Sequence, residues 1–217
     1  MPTRIKICCI SSHEEARLAT DYGANALGLV GPMPSGPGPI AISLIKEIAA
    51  DVAPGVSSFL LTAETTYDWI LDVYHKTYPQ VLQLVDEVEN MDVYTRLKET
   101  IPQVKLVQVI HVTGDESLDE ALMIAPYVDG LLLDSGNPKL TIKELGGTGR
   151  VHDWSVSQRI VEQSGVPVFL AGGLNPQNVR EAIEHVNPYG VDICSGLRTN
   201  GHLDERKVEA FVKAVNG

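Results

Sequence analysis

The stretch RIKICCISSHEEARLATDYGANALGLV, residues 4–30, decides the fold. Its two ends are short apolar runs that read as strands over about 4–9 and 25–30. The segment between them reads as a helix over about 12–22, with Ser12 ahead of Glu14-Glu15 marking its start. The same unit recurs along the chain. Further strands are predicted over about 56–62, 79–85, 104–112, 128–134, 166–171 and 189–194, and further helices over about 41–52, 65–76, 90–100, 116–126, 153–164, 176–187 and 204–215. Asp153 ahead of Trp154 and the pair Asn175-Pro176, with Pro at the first helical position, supply two more helix starts. Repeats of roughly 25 residues suit parallel strands joined by crossover helices rather than hairpins. With eight pairs and no segment left over, the predicted architecture is α/β, a single (β/α)8 TIM barrel, in one domain over residues 1–217.

Composition narrows the function. A net charge of −11 over 217 residues argues against a nucleic-acid partner, because a polyanion is repelled by most of such a surface. Three cysteines, two of them adjacent (Cys8 and Cys9), provide neither a disulfide framework nor the spacing of a structural zinc site. The start of the chain carries no basic-then-apolar signal pattern, and no apolar run is long enough to span a bilayer. A soluble cytoplasmic protein with no metal and no membrane partner is expected.

Barrels of this kind carry chemistry at the C-terminal ends of their strands. Alternation along the first strand puts Arg4, Lys6 and Cys8 on one face and Ile5, Ile7 and Cys9 on the other. The apolar set must meet the helices, so Lys6 and Cys8 point inward and Cys9 outward. Cys8 then reads either as a base near the mouth or as a small buried apolar residue. On the sixth strand Gly130, Leu132 and Asp134 share a face, and Asp134 is either a helix cap or loop hydrogen-bonding group, or a general acid or base across the ring from Cys8. Glycine-rich turns, Ala171-Gly172-Gly173-Leu174 and Cys194-Ser195-Gly196-Leu197, follow the seventh and eighth strands. Barrels commonly seat a phosphate there, on backbone N–H groups that glycine leaves accessible. Asp192 reads as a satisfied inner-layer group, and His111 as a structural histidine within reach of the mouth. Two long connections, 31–39 and 135–152, are candidate substrate loops; the second contains Gly146-Gly147-Thr148-Gly149.

Taken in order, Lys6-Ile7-Cys8, Leu132-Leu133-Asp134-Ser135, Gly146-Gly147-Thr148-Gly149, His152-Asp153-Trp154, Gly172-Gly173-Leu174-Asn175-Pro176 and Val191-Asp192-Ile193-Cys194-Ser195-Gly196 resemble the phosphoribosylanthranilate isomerase family across nearly the whole chain. The resemblance implies a cofactor-independent Amadori rearrangement in tryptophan biosynthesis. Asp134 would protonate the furanose ring oxygen, and Cys8 would remove the C2′ proton from the resulting Schiff base. Gly147, Gly172, Gly173, Ser195 and Gly196 would hold the phosphate of a small phosphorylated sugar-amine. A monomer or homodimer is expected.

The chain departs from the family pattern at four places. The family's Ser-x-Arg, whose Arg holds the anthranilate carboxylate, is replaced by Ser35-Gly36-Pro37. The Gly after the catalytic Cys is Cys9, the His-Gly of the fourth strand is Val85-Asp86, and the Glu beyond the last Ser-Gly is Arg198. Arg198 is therefore either a relocated carboxylate anchor, suited to that role by its planar fork, or a solvated loop residue. Two other functions fit the same residues: isomerisation of a different phosphorylated ribosylamine, and sugar-phosphate binding without catalysis.

Overall fold

The computed structural model describes residues 2–34, 36–136 and 152–217. Among them, β1 (Arg4–Ile7), β2 (Ala26–Val30), β3 (Ser57–Thr62), β4 (Val81–Leu84), β5 (Lys105–His111), β6 (Gly130–Asp134), β7 (Val168–Leu170) and β8 (Gly190–Ile193) pair in parallel, each with the next. β8 returns to β1 with Arg4 beside Gly190 and Ile7 beside Ile193, which closes the barrel. Around it lie α1 (His13–Asp21), α2 (Ile42–Asp51), α3 (Tyr67–Thr77), α4 (Asp92–Thr100), α5 (Glu116–Ile124), α6 (Trp154–Gln163), α7 (Val179–Val186) and α8 (Glu205–Asn216). No helix among the described residues is long and apolar enough to cross a membrane.

Strand alternation divides the interior in two. Ile5, Ile7, Leu27, Leu29, Leu131 and Leu133 face outward into one apolar layer shared with the helices. Each such side chain contributes about 1.5–3 kcal/mol by leaving water. Their neighbours Cys8, Ala26, Phe59, Val109, Leu132 and Phe169 fill the inside of the barrel as a second cluster. There the rings of Phe59 and Phe169 meet edge to face at 5.7 Å, and the Lys6 ammonium lies 5.4 Å from the Phe59 ring centre. Lys6 is fully buried and pairs with Asp192 at 2.9 Å, so Asp192 is the satisfied inner-layer group expected of it. Burial works against the Lys6 charge, but Asp192 more than offsets it and holds the ammonium above its ordinary pKa.

Caps set the helix starts. Ser12 Oγ accepts from Glu15 N at 3.2 Å while Glu15 Oε2 accepts from Ser11 N at 2.9 Å, and Asp153 Oδ1 accepts from Ser155 N at 2.9 Å. Three details differ from the sequence expectation. β1 ends at Ile7 because Cys9 takes a left-handed backbone, φ 61°, which breaks the alternation. α7 starts at Val179 rather than at 176: the Asn175 side chain accepts from the N–H groups of Gln177 and Asn178, so Pro176 sits in a turn ahead of the helix. A small hairpin, β9 (Arg198–Thr199) with β10 (His202–Leu203), follows β8 and turns at Asn200-Gly201, both with positive φ. That Asn-Gly pair is a hairpin signal the sequence carried openly.

Candidate active site

A cavity opens at the C-terminal mouth of the barrel. Cys8 enters it from just beyond β1, Asp134 from the end of β6, Gly172 and Gly173 from the turn after β7, and Cys194 and Ser195 from the turn after β8. The inward placement of Cys8 and Asp134 matches the strand-parity argument. Cys8 is held by its N–H, which donates to Ile193 O at 2.8 Å. Room for its sulfur comes from Gly28 on β2, where an added Cβ would stand 2.7 Å from Cys8 Sγ. Parity assigned Gly28 no role, although a glycine facing inward on a strand is a sign of close approach.

Asp134 is buried, and its Oδ1 accepts from Ser135 N at 2.7 Å. Burial pushes its carboxyl above the usual carboxylate range, while the Ser135 N–H and the neighbouring His111 and Lys6 pull the other way. One of its oxygens is thus tied to the backbone. His111 stands beside Asp134 in the β5–β6 ladder, and its Nε2–H donates to Val85 O at 3.0 Å. It is fastened to the barrel wall instead of free at the mouth. Gln83, also lining the cavity, is buried with its Oε1 unpartnered among the described residues. An acceptor left this way is suited to a ligand hydroxyl.

The turns after β7 and β8 are tightly built at their glycines. Gly172 and Gly173 both take positive φ, 84° and 63°, and a Cβ on Gly172 would lie 2.9 Å from Ser135 Oγ. A Cβ on Gly196 would meet Leu174 O at 2.5 Å. Side chains are therefore excluded at Gly172 and Gly196, beside the cavity. Gly147 and the rest of its glycine-rich segment lie outside the described residues. The 31–39 loop lines the cavity with Met33, Gly36 and Pro37, and Cys9 Sγ donates to Pro37 O at 3.7 Å. Ser35 in that loop is also outside the described residues.

Two expectations need correction. Cys9 does not face the helix layer: its left-handed backbone turns the thiol back to line the cavity with Cys8. Arg198 is not the solvated loop residue that one alternative expected. Its guanidinium bonds both oxygens of Glu15, at 3.0 and 2.9 Å, and donates to Gly201 O and Cys9 O, outside the cavity lining. Leu203 N completes the set on Glu15 Oε1 at 2.9 Å. Against the cost of burial, these bonds hold the Glu15 carboxyl below its ordinary pKa. The fork is spent on tying the loop after β1 to the hairpin after β8.

The family model for N-(5'phosphoribosyl)anthranilate (PRA) isomerase matches residues 5–214. The chain is 39% identical over 211 residues to N-(5'-phosphoribosyl)anthranilate isomerase 2 of Methanosarcina mazei, covering 96% of this chain and 92% of that one. It is 34% identical to the Methanocella arvoryzae isomerase, covering 98% of each. Among solved structures, phosphoribosyl anthranilate isomerase from Thermotoga maritima superposes with a TM-score of 0.83 at 28% identity, covering 98% of each chain. Another solved isomerase, in complex with reduced 1-(o-carboxyphenylamino)-1-deoxyribulose 5-phosphate, superposes with a TM-score of 0.80 at 26% identity, again covering 98% of each chain.

Proposed function

The chain belongs to the N-(5'-phosphoribosyl)anthranilate isomerase family, and from that premise we propose that Asp134 is the general acid and Cys8 the general base of its Amadori rearrangement. The observation that carries the reading is that these two groups, from β1 and β6, line one cavity beside the glycine turns after β7 and β8. Burial favours the protonated form of Asp134, as an acid that must donate near neutral pH requires. Its carboxyl passes the proton to the furanose ring oxygen. The C1′–O bond breaks as the anilinic nitrogen forms the C=N bond of a Schiff base. Cys8, as thiolate, then removes the C2′ proton, the electron pair moves to give an enolamine, and tautomerisation yields the ketose. Each group acts on an atom of the same sugar, so placement across one mouth is the geometric requirement.

The phosphate is assigned to the N–H groups around Gly172, Gly173, Ser195 and Gly196, with Gly147 as a further contact. Gln83 is placed against the sugar hydroxyls, and Met33, Pro37 and Val85 form an apolar wall for the aromatic ring. In this reading the protein is one domain over residues 1–217, a cytoplasmic monomer or homodimer acting on a small phosphorylated sugar-amine without a cofactor. The test is complementation of a tryptophan auxotroph lacking the isomerase. Growth is expected with the wild-type chain and not with Asp134→Asn; failure of the expressed, folded wild type, or growth with the variant, would overturn the proposal.

A further inference from the structure

The mechanism above uses Cys8 and leaves its neighbour without a part. Cys9 is buried, and its backbone takes a left-handed φ of 61°. A residue with a Cβ is strained there, which points to a task for the side chain that glycine could not perform. The turn that carries it is fixed on both sides: Cys8 N donates to Ile193 O at 2.8 Å, and Ile10 N donates to Gly28 O at 3.0 Å. From that fixed base the side chain reaches the 31–39 loop. Its thiol donates to Pro37 O at 3.7 Å, and a Cβ on Gly38 would stand 2.7 Å from the Cys9 Cβ and 3.1 Å from its sulfur. Gly38 thus lies against the Cys9 side chain, with no room for a side chain of its own.

The rest of the loop is held at its ends. Gly31 N donates to Leu61 O at 3.0 Å, Ile40 N donates to Val30 O at 3.0 Å, and Pro39 bridges to Val30. Between them Pro32, Pro34, Gly36 and Pro37 are exposed, so burial contributes little, and Gly36 and Gly38 both have positive φ, 98° and 89°. Glycine leaves the chain many alternative conformations at such positions. Among the described residues, the Cys9 thiol supplies the one side-chain hydrogen bond to 32–38. That stretch matters because Met33, Gly36 and Pro37 line the cavity, with Met33 packed against the same inner cluster as Cys9.

We infer that Cys9 is a positioning residue for the aromatic half of the substrate: its side chain latches Pro37 and Gly38 to the turn after β1 and so sets the wall against which the ring binds. The inference rests on the proposed placement of the ring against Met33, Pro37 and Val85. Cys9 touches no reacting atom. It acts through the loop, by keeping the binding-competent pose populated before the substrate arrives. A loop released from the latch has to be ordered at each binding event, and that cost falls on affinity for the ring while sparing the chemical step. The turns assigned to the phosphate, after β7 and β8, are other segments of the chain, so the two halves of the substrate report separately.

The experiment takes Cys9→Gly and Gly38→Ala, singly and together, and measures binding of two ligands: reduced 1-(o-carboxyphenylamino)-1-deoxyribulose 5-phosphate, which carries the ring, and ribose 5-phosphate, which does not. Glycine suits the left-handed position, so Cys9→Gly keeps the fold while removing the latch. Gly38→Ala breaks the same contact from the loop side, because its Cβ has no room beside Cys9. Each single variant is expected to raise KM for phosphoribosylanthranilate and the dissociation constant of the ring-bearing analogue about five- to tenfold, with kcat within about twofold and ribose 5-phosphate bound as in the wild type. The double variant should stay close to the larger of the singles, since all three lose one contact. Unchanged analogue affinity in Cys9→Gly, equal weakening of both ligands, or effects that multiply in the double variant would overturn the latch and leave the isomerase reading standing. A folded wild type that neither binds the analogue nor turns over phosphoribosylanthranilate would overturn that reading and the latch with it.

Discussion

Removing either partner of the Lys6–Asp192 pair should destabilise the barrel far more than replacing both. At 2.9 Å the two charges attract by about 6 kcal/mol, taking an effective dielectric of about 20. Stripping water from both ions costs a comparable amount, so the pair as a whole contributes little against an apolar replacement. A single substitution is different, because it strands one charge inside the barrel. Lys6 has no exposed surface, and its other neighbour is the face of Phe59. Asp192→Asn and Lys6→Met are each expected to lower the unfolding free energy by about 3–5 kcal/mol. That is a large part of a typical domain stability of about 5–15 kcal/mol. The double variant Lys6→Met/Asp192→Leu should recover most of the loss. Urea unfolding followed by circular dichroism, with equal m-values across the set, measures the cycle. Single variants losing less than about 1 kcal/mol, or a double variant losing the sum of the singles, would refute the reasoning.

Gly28→Ala should lower kcat about 10- to 100-fold in a folded protein, because the new Cβ would stand 2.7 Å from Cys8 Sγ and displace it; steady-state kinetics at unchanged wild-type rate would count against this packing. Arg198→Ala should leave the KM for the anthranilate substrate unchanged while unfolding becomes easier by about 1–3 kcal/mol, since Glu15 loses its guanidinium; a raised KM at undiminished stability would return Arg198 to the role of carboxylate anchor. His152, bonded to Ser157 Oγ at 2.6 Å, has its pKa lowered by burial from 6.5 to about 4. The unfolded chain therefore binds a proton that the folded chain refuses between those values, and the stability present above pH 6.5 falls away toward pH 4, by about 2–3 kcal/mol. His152→Gln should flatten that part of the pH–stability curve, and an equally steep curve in the variant would dismiss burial as its cause.

The residues that obey period are the ones the sequence disclosed. Parity alone placed Lys6, Cys8 and Asp134 inside and Ile5, Ile7, Leu131 and Leu133 outside, because one shift of register would expose every apolar side chain of a strand. Cys9 escaped the rule because parity stops where the strand stops, and a single positive φ reversed its direction. Arg198 was misread because the partner that spends its charge, Glu15, lies 183 positions away and no local pattern links them. Gly28 and Gln83 were hidden for a related reason: a glycine that makes room and an amide left unpaired acquire meaning only from what faces them. The Asn200-Gly201 turn and the Asn175 cap, by contrast, were local signals that could be read from the chain alone.

The division of labour between Asp134 and Cys8 is tested most directly by turnover of N-(5'-phosphoribosyl)anthranilate, followed through the loss of substrate fluorescence, in Asp134→Asn and Cys8→Ser beside the wild type. Each variant should lose about 10²- to 10⁴-fold in kcat while binding a non-reacting reduced product analogue as tightly as the wild type. Wild-type kcat in either variant would contradict the assignment of acid and base.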